Sequence, residues 1–329
     1  MRERRKGRGQ RKCRFKKRNA TMPHLAVVIV SWNVRDLLGA CLRSLLLDLD
    51  RSSLEAQVWV VDNASTDGTP DMVAESFPEV HLIASRENLG FAAGNNVALK
   101  AISQGTEHVT RNTRYVWLLN PDTEVCPGAT AALLSVLHAH PQAGVAGAKL
   151  LYADSSLQHS AFHFPGLIQL AFELFPLPPR FYDTPLNGRY PRRLYEAQAP
   201  FFVDHPLGAA MMVRTEAAAQ VGLMDEGYHM HCEEIDWCWR MRRAGWRALC
   251  VPAARVIHHA GRSTAQVPVP SFVNLWTSRA RLYGRHHGPL TRRVARALVR
   301  AGMRRRMRGA SPDMVAACRH VIRAWEEIR

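Results

Sequence analysis

From residue 26 onward, short runs of apolar residues alternate with segments of helical periodicity. The runs cover residues 26–30, 58–61, 80–84 and 115–119. Such runs predict strands that are buried on both faces of a parallel sheet. Between the first two runs, Leu38, Leu42 and Leu45 repeat at helical spacing and mark one buried helix face. Strands that alternate with helices in this way predict a doubly wound α/β domain.

Polar residues follow each predicted strand at the point where it ends. They are Ser31-Trp32-Asn33, the segment 62–69, the segment 88–96, and Asn120-Pro121-Asp122. In open α/β sheets, ligands bind beyond the carboxyl ends of the strands. A carboxylate at Asp122 suits a hard divalent cation, which prefers oxygen ligands and often shares them with substrate phosphates. The alternative is that Asn-Pro-Asp is ordinary turn chemistry.

Seven blocks of sequence follow one another between Leu25 and about Ala265. They are VIVSWN (28–33), VDNASTDGT (61–69), NLGFAAGNN (88–96), NPD (120–122), GLMDE (222–226), EEIDWCWR (233–240) and VIHHAGRS (256–263). In content and order these blocks resemble family 2 glycosyltransferases of GT-A fold, especially the branch that contains rhamnosyltransferases. The resemblance implies an inverting enzyme that uses a nucleotide-sugar donor and Mg²⁺ or Mn²⁺.

At the nucleoside end, the resemblance places Asp62 and Asn33. An aspartate at a strand end can accept the imide N–H of a uracil or thymine ring, and the alternative is that Asp62 caps the loop after it. Asn88, Gly90 and Asn120 are expected at the ribose or phosphates. A helix that resumes near Ala92 would direct N–H groups at anionic oxygens, although Gly90 and Gly94 could equally be close-packing positions.

The acidic segment 233–240 reads as a helix with Glu233, Glu234 and Asp236 near its start. Acids there complement the helix dipole, so capping and solvation are the alternative to catalysis. The resemblance places the catalytic base at Glu234, where related proteins usually carry Asp, and this departure keeps Glu233 and Asp236 as candidates. His258 ends a predicted strand and is expected to complete the metal site with Asp122, the alternative being a solvated histidine.

Three further residues, Gly208, Met224 and Asp225, are expected near the acceptor. The resemblance to rhamnosyltransferases points to dTDP-rhamnose as the donor, and to a cell-envelope polysaccharide or a lipid-linked intermediate as the acceptor. The His and Cys residues between 229 and 238 lack the closely spaced thiol pair of a zinc site, so core and loop roles are expected.

Composition and charge limit the cellular setting. The chain has 329 residues, 47% of them hydrophobic, and seven cysteines without a Cys-x-x-Cys pair, which favours one large core in a reducing cytosol. Residues 1–18 carry a net charge of +10 and residues 272–329 carry +11, so with +16 overall the segment between carries −5. We find no signal peptide or membrane span and expect a cytoplasmic protein, peripheral on the inner face of the membrane if its acceptor is lipid-linked.

The charge pattern divides the chain into three regions. We expect a basic disordered tail at 1–22, a GT-A catalytic domain at 23–265 and a basic helical extension at 266–329. Met22 offers an alternative start, which would leave residues 1–21 outside the natural product. Basic tails can bind nucleic acid or anionic lipid, but no recognisable nucleic-acid-binding domain accompanies them, so nucleic acid is a poor candidate.

One helix of the extension is amphipathic. Its apolar residues are Leu290, Val294, Ala297, Leu298 and Ala301, and its arginines are Arg292, Arg293, Arg296 and Arg300. A basic amphipathic helix can lie on an anionic membrane surface. The alternative is that the apolar stripe packs against the catalytic domain with the arginines in solvent.

The sequence thus predicts a metal-assisted glycosyltransferase acting by single displacement, with two alternatives. A nucleotidyltransferase would share the α/β core but should carry a Gly-rich basic loop after the first strand, where Ser31-Trp32-Asn33-Val34 stands. A non-catalytic nucleic-acid- or glycan-binding protein would explain the basic tails but not the carboxylates at the strand ends.

Overall fold

A mixed sheet flanked by helices organises the chain in a computed structural model, which describes residues 25–104, 113–261 and 266–328. The strands are β1 (Leu25–Ser31), β2 (Ala56–Asp62), β3 (His81–Ala84), β4 (Tyr115–Leu119), β5 (Thr123–Val125), β6 (Ala143–Leu151), β7 (Leu157–Gln158), β8 (Ala161–Phe162), β9 (Phe201–Val203), β10 (His205–Pro206), β11 (Ala210–Arg214) and β12 (Arg247–His258). The basic segment 1–22, with its possible start at Met22, lies outside the described residues, so those expectations stay predictions.

Helices connect the strands and form the C-terminal part of the chain. They are α1 (Arg35–Arg51), α2 (Thr69–Ser76), α3 (Gly90–Gln104), α4 (Ala129–Ala139), α5 (Leu167–Leu174), α6 (Arg192–Glu196), α7 (Thr215–Val221), α8 (Glu233–Arg243), α9 (Pro268–His286), α10 (Pro289–Arg306) and α11 (Pro312–Glu327). In the described ranges, none of these helices combines the length and apolar content needed to cross a bilayer.

The main sheet has the order β3-β2-β1-β4-β11-β6-β12-β5. Strand β1 is parallel to both neighbours, with Ser31 opposite Asp62 on β2 and Val28 opposite Leu118 on β4. The polar turns after these strands therefore meet at one edge, as the sequence predicts. Strand β11 is antiparallel to β4 and β6, and this makes the sheet mixed. The outer strand β3 differs from the expectation of full burial, because it lies at the sheet edge and exposes His81 and Ala84.

Two apolar cores cover the two faces of the sheet. The first joins β1 and β4 to α1, α2 and α4, where Leu38, Leu42 and Leu45 are buried as predicted. The second joins the opposite face to α3, α7 and α8, where Trp237 and Met241 are buried. Because both faces are covered, the open positions at the sheet are its carboxyl ends, and these hold the polar turns.

The C-terminal helices α9, α10 and α11 form a third core with α5. Helix α10 packs there mainly through a face other than the predicted stripe. Its buried residues are Ala295, Val299, Gly302 and Met303, and of the stripe Leu298 packs partly buried against the core, whereas Leu290 is 76% exposed. The reason is steric, since a Cβ on Gly302 would lie 2.5 Å from the side chain of Leu174 on α5. Small residues allow this close approach, and Leu290 and Val294 are left exposed to solvent.

Candidate active site

A cavity of about 270 Å³ opens at the carboxyl ends of β1 and β4. Eight of the predicted site residues line it: Asn88, Gly90, Asn120, Asp122, Gly208, Glu233, Glu234 and His258. These residues come from five separate segments of the chain, which the sheet edge and helix α8 bring together. The structure therefore gathers most of the residues chosen from the sequence around one space, called here the catalytic cavity.

Several buried polar atoms around this cavity have no hydrogen-bond partner within the described residues. They are Ser31 Oγ, Asp62 Oδ1, Asn63 Oδ1, Asn120 Oδ1, Glu233 Oε2 and Glu234 Oε2. Buried polar groups in folded proteins are nearly always paired, because an unpaired one costs free energy. Their concentration at one cavity is therefore typical of a site whose polar partners arrive with the ligand.

At the nucleoside side, Asp62 and Asn33 hold two loops together. Asp62 Oδ2 accepts a hydrogen bond from the Ser65 N–H, which is the loop-capping role weighed from the sequence, while Asp62 Oδ1 stays unpaired. Asn33 Oδ1 accepts from the Thr66 N–H at 2.8 Å, and the Asn33 N–H donates to Ser65 Oγ. Neither side chain lines the catalytic cavity, but the adjacent Asn63 does.

The glycine-bearing run 88–96 serves mainly close packing at its glycines. Helix α3 begins at Gly90, earlier than predicted, and the Gly90 N–H already donates to Asn88 Oδ1. The Phe91 N–H donates to the His229 carbonyl, so the first helical N–H groups are not free for a phosphate. Gly90 has φ +80°, and a Cβ there would lie 2.2 Å from the same carbonyl. Position 90 therefore requires glycine for steric reasons.

Asp122 and His258 lie next to each other in the wall of the catalytic cavity. His258 Nε2 lies 3.4 Å from Asp122 Oδ1, and both side chains are buried. Gln158 Oε1 lies 2.8 Å from His258 Nδ1 and so fixes the ring, an arrangement that commonly orients metal-binding histidines. No group of three His, Cys, Asp or Glu side chains suited to a metal occurs in the parts of the chain that the structure describes. The pair thus fits a cation that takes its other ligands from substrate and water.

The acids that begin α8 are buried rather than solvated, which excludes the solvation alternative. Glu233 and Glu234 are 5% and 8% exposed and line the catalytic cavity. Burial raises the pKa of Glu234 to about 7, against the effect of backbone hydrogen bonds, including one from Gly208. Burial and the neighbouring Glu234 raise the pKa of Glu233 well above its usual range. A carboxyl group with a pKa near 7 is suited to accept a proton at neutral pH.

Asp236 lies on the same helix but points away from the cavity. Its carboxylate is fully buried and binds Arg240 at 2.7 Å and His286 Nε2 at 2.8 Å. These hydrogen bonds, which outweigh the opposing effect of burial, lower the pKa of Asp236. The group is therefore an ionised anchor between α8 and α9.

The structure does not bring Met224 or Asp225 to the catalytic cavity. Met224 is buried, its backbone bonded to the side chain of Asn96. Asp225 binds the guanidinium groups of Arg281 and Arg285 on α9. Of the three residues expected near the acceptor, only Gly208 lines the cavity.

Two consecutive residues before α8 adopt left-handed backbone conformations. His231 has φ +71° and Cys232 has φ +70°, values that cost of order 1–3 kcal/mol each outside glycine. Such strain is found at functional sites that the surrounding fold holds in place. His231 lines the catalytic cavity, as do Trp32, Met230 and Leu207. Sequence reasoning missed these four, since a loop histidine and isolated apolar residues carry no pattern of their own.

The fold and these residues together define a known family. The chain matches Glycosyl transferase family 2 over residues 26–215, more than half of its length, and therefore belongs to that family. It is thus a transferase, and the nucleotidyltransferase and non-catalytic alternatives are set aside.

Among curated relatives, the chain is similar to two rhamnosyltransferases. It is 33% identical over 249 residues to N-acetylglucosaminyl-diphospho-decaprenol L-rhamnosyltransferase of Mycobacterium tuberculosis, covering 74% of this chain and 78% of the relative. It is 23% identical over 212 residues to dTDP-rhamnosyl transferase RfbF of Shigella flexneri, covering 64% and 62%. The predicted similarity to rhamnosyltransferases is confirmed.

A solved structure supports the fold. Mannosyltransferase PcManGT from Pyrobaculum calidifontis, in complex with GDP-Man and Mn²⁺, matches with a TM-score of 0.53 and 16% identity. The match covers 93% of this chain and 86% of that one. The predicted GT-A architecture, with its mostly parallel sheet and additional C-terminal helices, is confirmed.

Proposed function

We propose that this chain transfers rhamnose from dTDP-rhamnose to a hydroxyl of a sugar carried on a lipid diphosphate, with inversion at the anomeric carbon. The donor and the acceptor class are those named for the two rhamnosyltransferase relatives. The observation that carries the proposal is the placement of Glu234 in the same cavity as Asp122 and His258, at the carboxyl end of the sheet. This grouping supports the proposal, because it offers a proton acceptor and candidate ligands for a metal-bound diphosphate within one cavity.

In the proposed reaction, Glu234 accepts the proton of the acceptor hydroxyl as the hydroxyl oxygen bonds to the anomeric carbon. The bond from that carbon to the diphosphate oxygen breaks, and the nucleoside diphosphate leaves with the electron pair. Attack from the face opposite the nucleotide inverts the anomeric configuration. The raised pKa of Glu234 suits this role, because a general base works best when its pKa lies near the operating pH.

Asp122 and His258 are the residues proposed to hold Mg²⁺ or Mn²⁺. When bound, the cation would neutralise charge that builds on the departing diphosphate. The fit rests on a carboxylate oxygen and an imidazole nitrogen 3.4 Å apart, with Gln158 orienting the ring. Asn88 and Asn120 line the same space and are proposed to bind ribose or phosphate oxygens.

The remaining candidates are given supporting roles. Asp62, with one unpaired buried oxygen, is proposed to accept the imide N–H of thymine. Asn33 holds the loop after β2 in place for that contact. Asp236 is proposed as a positioning residue, because it fixes the start of α8 and hence the direction of Glu233 and Glu234.

A donor screen tests the proposal. We expect dTDP release from dTDP-rhamnose with an N-acetylglucosaminyl-diphospho-lipid acceptor to exceed release from UDP- or GDP-sugars by at least about tenfold. A difference of that size corresponds to ~1.4 kcal/mol in transition-state binding. Release should be measured with and without the acceptor, so that transfer is separated from hydrolysis. A clear preference for another nucleotide would contradict the assignment of the donor.

A lipid-linked acceptor requires a route to the membrane, and we propose that the exposed face of α10 provides it. Leu290 and Val294 are exposed there, and the exposed arginines of the same helix include the adjacent Arg293 and, further along, Arg304. Apolar residues flanked by arginines match the chemistry of an anionic bilayer surface.

We therefore expect Leu290→Ser to weaken co-sedimentation of the protein with anionic vesicles and high salt to release it. The matched control is Leu47→Ser, which changes another exposed leucine, on α1. Equal binding of the two variants to the vesicles would show that α10 does not contribute to membrane binding.

A further inference from the structure

A second cavity, of about 420 Å³, adjoins the catalytic cavity. Leu207, His231 and Glu234 belong to the walls of both. The proposed base therefore stands between two spaces rather than at the bottom of one. The proposed donor site is in the catalytic cavity, which is lined by Asp122, His258 and the turns after β1 and β4. The second cavity is therefore the space available to the acceptor, the molecule that loses its proton to Glu234.

The lining of the second cavity suits a sugar. Aromatic side chains, including Phe162, Phe172 and Tyr182, alternate with polar groups such as Gln169 and Asn187. Sugars present apolar C–H faces and a rim of hydroxyls, so a wall that mixes rings with amides is complementary to them. The cavity is also large enough for a small ligand, within the usual range of ~300–1,000 Å³.

A partly exposed ion pair forms part of the lining of this cavity. Arg279 on α9 binds Glu173 on α5, and the Arg279 guanidinium lies 5.1 Å from the centre of the Trp276 ring. Burial lowers the pKa of Arg279 to about 10, so the group remains charged at neutral pH. Glu173 also lines a third cavity on its other side.

The third cavity, about 280 Å³ in volume, is a crevice between α5 and the end of α10. Its lining includes Arg305, Arg306 and Arg308, and we call it the arginine crevice. In the described part of the chain, no carboxylate forms an ion pair with any of these three arginines, and Glu173 is already paired with Arg279. Arg306 rests over the ring of Phe272 at 4.6 Å. The crevice thus concentrates positive charge that no carboxylate of the described residues pairs with.

From these contacts we propose that the second cavity and the arginine crevice together bind the acceptor, with its sugar against Glu234 and its phosphate ester in the arginine crevice. The phosphate would be bound by Arg305, Arg306 and Arg308, while Glu173 at the boundary of the two spaces stays paired with Arg279. Arginine suits this task, because its planar guanidinium binds phosphate oxygens in pairs. The proposal rests on the glycosyltransferase function proposed above and adds how the acceptor is recognised.

The test compares two acceptors that carry the same sugar, one as a short-chain isoprenoid diphosphate and one as a neutral alkyl glycoside. In the double variant Arg305→Gln and Arg308→Gln, we expect KM for the diphosphate acceptor to rise about tenfold or more, the loss typical of a charge-assisted contact. The values of kcat, KM for the donor, and KM for the neutral glycoside should change little. The matched control is Arg319→Gln with Arg323→Gln, which removes two exposed, unpaired arginines from α11 in the described chain.

A cavity-filling variant tests the sugar position separately. Leu275→Trp fills the second cavity from α9 and should weaken transfer to both acceptors, while hydrolysis of the donor by water continues. Continued hydrolysis would show that the variant is folded and that the catalytic cavity is intact.

Each other outcome overturns the inference in a recognisable way. An equal rise in KM with both acceptors, or with the α11 control, would mean that the arginine crevice does not bind the phosphate. A variant with weaker binding to anionic vesicles but an unchanged KM for the diphosphate acceptor would assign the arginines to membrane headgroups instead. If the wild-type protein releases no nucleotide from any sugar donor, the proposed function fails, and this is distinguishable from failure of the acceptor site alone.

Discussion

Asp122→Asn is expected to lower the rate of sugar transfer by at least about a hundredfold. The variant keeps the size of the side chain but removes the charge that would hold a divalent cation beside His258, 3.4 Å away. Loss of a metal that acts as a Lewis acid removes several kcal/mol of transition-state stabilisation, and each ~1.4 kcal/mol is a factor of ten in rate. The measurement is dTDP release, with and without EDTA, followed by Mn²⁺ or Mg²⁺ addition.

The matched control for this variant is Glu124→Gln. Glu124 lies two residues from Asp122 and pairs with His259 at 2.8 Å, but it does not line the catalytic cavity. We expect near-normal transfer from it, because such a half-exposed pair contributes only ~0–1 kcal/mol. Calorimetric titration of dTDP in the presence of Mn²⁺ provides a second readout, and Asp122→Asn should weaken that binding. Full transfer in EDTA by metal-free wild-type protein would contradict the metal site.

Glu234→Gln is the second substitution with a large expected effect. Glutamine keeps the size and hydrogen bonding of the side chain but cannot accept a proton, so kcat should fall by ~10²–10⁴-fold with donor affinity little changed. Glu233→Gln is the matched control on the same helix turn, because Glu233 is also buried and lines the same cavity. It should have the milder effect. If the two variants rank in the opposite order, Glu233 is the base.

The pH dependence offers an independent check on Glu234. Since the base acts in its ionised form, kcat/KM should rise with pH and level off above the pKa of about 7.

The free energy of unfolding should change with pH in the opposite direction. A carboxyl group whose pKa is raised by folding stabilises the protein fully below its unfolded value near 4.5, and this contribution is lost as pH rises through about 7. Thermal unfolding of Glu234→Gln should therefore depend less on pH between 5 and 8 than that of the wild type.

Much of the fold could be predicted from the local pattern of apolar residues, because the strands that lead to the catalytic cavity are short, apolar and buried. β1, β2 and β4 could be placed from composition alone, and parallel pairing then brings the turns after them to one edge. The position of β11, antiparallel between β4 and β6, could not be placed in this way. It depends on pairing between residues far apart in the chain, which leaves no local signal.

In the candidate site, too, residues in local motifs could be predicted from the sequence, whereas contacts between distant residues could not. Glu234 and Asp122 stand in recognisable motifs, and the structure brings them to one cavity. Asp236 stands in the same motif, but its partner His286 lies fifty residues later, so its anchoring role could not be inferred from the sequence. For the stripe of α10, the sequence leaves open a membrane surface or the catalytic domain as its partner. The structure buries a different face of the helix, because close contact with α5 requires the glycine at 302.

The position of Glu234 between two cavities has a consequence for the accuracy of the reaction. Glu234 is 8% exposed, and the two cavities that it lines are the spaces that substrates would fill. When the second cavity holds no acceptor, a water molecule can take the place of the hydroxyl, and the same base would then activate the wrong nucleophile. Protection of the activated sugar from wasteful hydrolysis must therefore come from the filling of that cavity, because the base itself cannot distinguish one O–H group from another.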